Sequence, residues 1–120
     1  MASDATAAGQ ARALLASVGS PYIESVLDTA QLLLSELVTN VVRHTPCSSM
    51  TLSLHLSPGS IRAEVNDCDA TRFPAMAPLR PSEPGGIGLR IVDQMASDWG
   101  AYETDHGKCV WFEITSATDN

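Results

Sequence analysis

Two stretches of this chain alternate apolar and polar residues at a period of two, so each must present one oily face that other elements have to cover. In the first, Met50, Leu52, Leu54 and Leu56 alternate with Thr51, Ser53 and His55. Beyond the turn Ser57-Pro58-Gly59-Ser60, Ile61, Ala63 and Val65 alternate with Arg62, Glu64 and Asn66. This pattern predicts two strands paired as a hairpin. The second stretch, residues 99–104 and 109–114 around Asp105-His106-Gly107, predicts another hairpin with Val110, Phe112 and Ile114 on one face. A chain of 120 residues is expected to build one domain around one core.

The cover is legible as helices. Ala7, Ala11, Leu14, Leu15 and Val18 recur at helical spacing over residues 7–18, before Gly19, Ser20 and Pro21. A second helix is expected to start near Ser25, where Ser25 and Asp28 have the spacing of a capping box, and to run to about Arg43, before Pro46. Its core face is Val26, Ala30, Leu33, Leu34, Leu37, Val38 and Val41. Leu89, Val92, Met95 and Ala96 mark a third helix over residues 88–97. Between these, Pro74, Pro78, Pro81 and Pro84 are too closely spaced for a helix and cannot donate to a sheet, so residues 70–86 are expected to form an irregular, mobile loop. The order of elements describes an α+β two-layer sandwich, with three helices on one face of a mostly antiparallel sheet. The domain is expected over 7–115, with 1–6 and 116–120 as flexible tails.

Composition excludes several functions. Fourteen acidic and seven basic residues give a net charge of −7, which argues against a partner bound through nucleic-acid phosphates. No basic, apolar leader opens the chain and no run approaches the roughly 18 apolar residues of a membrane span. A cytoplasmic protein without membrane contact is the expectation. Cys47, Cys68 and Cys109 are odd in number and widely spaced, suggesting reduced thiols and neither a disulfide framework nor a zinc site. His44, His55 and His106 are too scattered for a catalytic or metal trio, and Trp99, Trp111 and Phe112 are expected in the core.

Three features break the pattern. Glu36, Asn40 and Arg43 form one polar stripe on an otherwise apolar helix. It reads either as a solvated face or as hard oxygen ligands suited to Mg²⁺ or to activating a hydroxyl. Asp67 falls, by strict alternation, on the buried face at the end of its strand, where a carboxylate needs a donor. A nearby hydroxyl or backbone N–H could serve, and so could a ligand amine. Gly85-Gly86-Ile87-Gly88 opens a helix, where glycines let a ligand approach the free N–H groups, although such clusters also make plain turns.

Taken in order, SELVTNVVRH at 35–44, VND at 65–67, GGIGLRIVD at 85–93 and GKCVWFEI at 107–114 resemble the GHKL (Bergerat-fold) ATP-binding family. Within it the chain looks most like the short bacterial anti-sigma-factor serine kinases. The resemblance implies that Glu36 is the acid that polarises an attacking hydroxyl and that Asn40 coordinates Mg²⁺. It implies that Asp67 accepts a hydrogen bond from the adenine amino group. Gly86 and Gly88, with the adjoining Leu89, match the segment that ends the lid and offers N–H groups to the phosphates. Cys109 stands where a threonine commonly helps bind adenine. Asp69 and Thr71 replace glycines of the wider family, and MASDATAAGQ shows no pattern for the additional strand with which relatives usually begin.

The function so implied is an ATP- and Mg²⁺-dependent regulator, an anti-sigma factor that phosphorylates a serine of an anti-anti-sigma antagonist. Its partners would be a sigma factor and that antagonist, with a homodimer left open. The alternative is a non-catalytic, nucleotide-binding partner-switch module. A histidine-kinase role is disfavoured because 120 residues leave no room for a phosphoacceptor helix.

Overall fold

The apolar stripe of the second helix organises the molecule. The computed structural model describes residues 1–19, 26–69 and 86–115. Its elements run α1 (Ala7–Gly19), α2 (Leu27–His44), β1 (Thr51–Ser57), β2 (Ser60–Asp67), α3 (Gly86–Met95), β3 (Asp98–Glu103) and β4 (Lys108–Thr115). The strands form one antiparallel sheet in the order β1-β2-β4-β3. The expected α+β architecture of three helices with an antiparallel sheet is the one observed.

All seven residues of the expected α2 core face are buried. They meet the inner face of the two central strands, where Ile61, Ala63 and Val65 lie opposite Ile114, Phe112 and Val110. Phe112 is fully buried at the centre, and burying such a side chain is worth about 1.5–3 kcal/mol. Ala7, Ala11 and Leu15 of α1 join the same core. Both α1 and α3 pack on α2.

Several local expectations are corrected. Val26 is the N-cap of α2 and makes no side-chain cap bond; the capping box expected from Ser25 lies outside the described residues. Asp28 in the first turn and Arg43 and His44 in the last complement the helix dipole instead. The far end is closed by Thr45, whose N–H and hydroxyl both donate to Val41 O at 3.2 and 2.8 Å. In α3 Val92 is buried and Ile91 and Ala96 are partly buried, whereas Met95 points outward and is 46% exposed. Leu14 and Val18 of α1 are also exposed. The expected loop at 70–86 lies, except for Gly86, outside the described residues.

Residues 1–3, set apart as tail without a strand pattern, pair with the segment entering β1. Met1 exchanges two backbone hydrogen bonds with Met50 (2.9 and 2.8 Å), Ser3 N–H donates to Ser48 O at 3.0 Å, and Ala2 bridges Ser49. A single antiparallel bridge needs no alternating pattern, which is why the sequence hides it.

The thiols are corrected too. Cys47 and Cys68 form a disulfide with their Cα atoms 5.7 Å apart, inside the usual range. Their wide spacing conceals the bond because the β1–β2 register creates it: Thr51 faces Asn66, so the residues flanking the open end of the hairpin are brought together. Only Cys109 among the three is free. Among the described residues no helix is long and apolar enough to cross a membrane.

Candidate nucleotide-binding site

Alternation along β2 carries Asp67 to the helix-covered face at the strand's end, as expected, and its side chain is 1% exposed. Directly across the sheet stands Lys108, the first residue of β4, at 5% exposure. Its Nζ lies 2.7 Å from Asp67 Oδ2 and donates to Asp69 O at 3.0 Å. The Asp69 N–H donates to Asp67 Oδ1 at 2.8 Å. Oδ2 has no hydrogen-bond partner, so that buried oxygen is balanced by the charge of the ammonium.

Lys108 is the residue sequence reasoning missed. The signal was present: counting back by twos from Ile114, Phe112 and Val110 puts residue 108 on the inner face. The same count puts Cys109 on the outer face. It lies opposite Asn66 and Tyr102, so the structure does not bring it to Asp67. Burial pushes the Cys109 thiol up, with the Tyr102 hydroxyl acting the other way. Gly107 allows the close pairing at this end. A Cβ there would collide with the Asp67 carbonyl oxygen and come within 2.7 Å of two backbone carbons, those of Asp67 and Cys68.

On α2, Glu36 and Asn40 lie one turn apart and are half-buried, whereas Arg43 is exposed. On the other border of the buried stripe, Gln31 Nε2 donates to Arg12 O and Arg12 donates to Ser35 Oγ, both at 3.0 Å. That border faces α1, so Glu36 and Asn40 look away from it. Among the described residues neither side chain has a hydrogen-bond or ion-pair partner. Gly86, Gly88 and Leu89 form the first turn of α3, whose leading N–H groups have no partner within the helix.

The outer sheet face carries a separate network. Arg62 bonds Glu64 and Glu113 at 2.9 Å each and lies 4.0 Å over the Trp111 ring. Trp111 is therefore not a core residue, in contrast to Phe112. His55 lies 4.0 Å from Glu64. Among the described residues no group of three His, Cys, Asp or Glu is placed to hold a metal.

A sheet backed by three helices, with a buried aspartate at the end of one central strand and a carboxylate–amide pair on the middle helix, defines a two-layer α+β sandwich. A model of the histidine kinase-like ATPase domain matches residues 1–114, and the chain belongs to that family of ATP-binding domains. Among solved structures it is similar to the histidine kinase domain of the Erythrobacter litoralis EL346 blue-light activated histidine kinase, with a TM-score of 0.56 and 18% identity over 92% of this chain. It is also similar to the Erythrobacter litoralis EL346 blue-light activated histidine kinase itself, with a TM-score of 0.55 and 19% identity over 92% of this chain. The matches cover 60% and 41% of those two chains. At such identities the likeness establishes the shared fold. No curated protein sequence matches the chain significantly.

Proposed function

We propose that this chain is an anti-sigma factor that transfers the γ-phosphoryl of ATP to a serine of an antagonist protein. The observation that carries the reading is the unpaired, half-buried edge of Glu36 and Asn40, one turn apart on the helix nearest the core. A carboxylate without a partner is available to accept a proton. In the proposed reaction the serine Oγ bonds to the γ-phosphorus, the bond to the β–γ bridging oxygen breaks, ADP leaves, and the serine proton passes to Glu36. Asp67 holds the adenine amine, and the first turn of α3 meets the phosphates. Mg²⁺ keeps several waters and takes few protein ligands. Asn40 would hold it, and the ion would neutralise charge building on the phosphate oxygens.

Labelled ATP and the antagonist test this reading. Glu36→Ala should slow transfer by about 10²- to 10⁴-fold while leaving nucleotide binding intact, whereas Asn40→Ala should impair both. Transfer by Glu36→Ala at the parent rate would sink the kinase assignment. A second reading, a partner-switch module without phosphoryl transfer, is favoured by the ion pair already occupying Asp67. A parent protein that binds its antagonist and transfers nothing would establish it.

A further inference from the structure

We infer that Lys108 sets how strongly the site holds a nucleotide base, because its ammonium stands on the Asp67 oxygen that a ligand's exocyclic amine must take. The inference rests on Asp67 being the base acceptor, as proposed above. Both carboxylate oxygens are occupied: Oδ1 by the Asp69 N–H at 2.8 Å and Oδ2 by Lys108 Nζ at 2.7 Å. With side chains 1% and 5% exposed, the pair is sealed, so a base reaches Asp67 only by exchange with the lysine.

Two further observations shape that exchange. The ammonium is anchored from a second side by Asp69 O at 3.0 Å, which makes displacement costly. Yet Oδ2 lacks a directed hydrogen bond, so an amine arriving in good geometry gains what the lysine does not supply. The flexible four-carbon stem of lysine permits it to swing away while the backbone stays in register. Lys108 therefore weakens ATP binding and blunts the site's ability to sense the amino group. The ligand class is a 6-aminopurine nucleotide, and the lysine acts as its internal competitor.

The test compares ATP with purine riboside triphosphate, which lacks only the 6-amino group, by calorimetry on the full chain and on folded Lys108→Thr, Lys108→Gln and Lys108→Arg variants. Lys108→Gln keeps a neutral donor of similar reach and serves if Lys108→Thr does not fold. ATP should bind Lys108→Thr about 10- to 100-fold tighter than the parent, the worth of one hydrogen bond to a charged group. Lys108→Gln should gain less, and Lys108→Arg should stay at the parent level. The preference for ATP over the amine-free analogue should widen in the same order. Unchanged or weaker ATP binding in the Thr and Gln variants, with unchanged preference, overturns the inference and leaves the nucleotide site standing. If neither the parent nor any folded variant binds either nucleotide, the nucleotide reading itself falls and this inference falls with it.

Discussion

Asp67 shows how much one side chain depends on its neighbour. Removing the carboxylate by Asp67→Ala leaves the Lys108 ammonium buried at 5% exposure without its counter-charge. Stranding one member of such a pair costs about 3–5 kcal/mol, so urea unfolding of Asp67→Ala should show a loss of that size. The double variant Asp67→Ala/Lys108→Met should recover most of it, and an equal loss in both would show that the charge pairing is not the cause. Cys109 offers a pH test. Burial raises its thiol above the ordinary value, so the neutral form is the one the fold favours. Its stabilising contribution is complete below the unfolded thiol's range and is lost as pH rises through the folded value. Alkylation at mildly alkaline pH should accordingly be slow in the native protein and fast in denaturant; equal rates would contradict the burial.

At the scale of elements, the disulfide closes a ring around the β1–β2 hairpin with a sequence separation of 21. Cross-linking a loop of that length restricts the unfolded chain by about 3 kcal/mol in the entropic account. Reduction should lower the unfolding free energy by about that amount, and the Cys47→Ser/Cys68→Ser variant should match the reduced protein; no change on reduction would mean the ring is already formed in the unfolded ensemble. The contrast between this bond and the hairpin explains what the sequence reveals. Strands and the α2 face are written locally, because Ile61, Val65 and Phe112 need only a period of two, and Leu33, Leu37 and Val41 only a helical one. The disulfide, the bridge at Ala2 and the pairing of Asp67 with Lys108 depend on which strand lies beside which, and no local pattern carries that. Asp67 could be singled out as a buried carboxylate from its place in β2, but its partner comes from β4, 41 positions later. Glu36 and Asn40 were legible as a stripe, because one helix holds both.

At the scale of the molecule, one continuous core joins all three helices to all four strands: Leu15, Leu34, Val92, Val65 and Phe112 belong to it, with Leu54 and Trp99 packed at its margin. Among the described residues neither layer has a separate core, so the helices cannot outlast the sheet. Far-UV circular dichroism, dominated by the helices, and tryptophan fluorescence, which reports the β3–β4 side, should trace the same unfolding curve with the disulfide intact. Separate midpoints would show that the layers unfold independently.

The Cys47–Cys68 ring also changes what it means to cut this chain. The exposed Pro58, beside Gly59 with its φ of 74°, sits at the tip of the enclosed hairpin, and a protease acting there would divide the polypeptide between Asn40 and Asp67. The two fragments would nevertheless travel as one species until a thiol released them. Covalent continuity between the helix that carries Asn40 and the strand end that carries Asp67 thus has two routes, one through peptide bonds and one through sulfur.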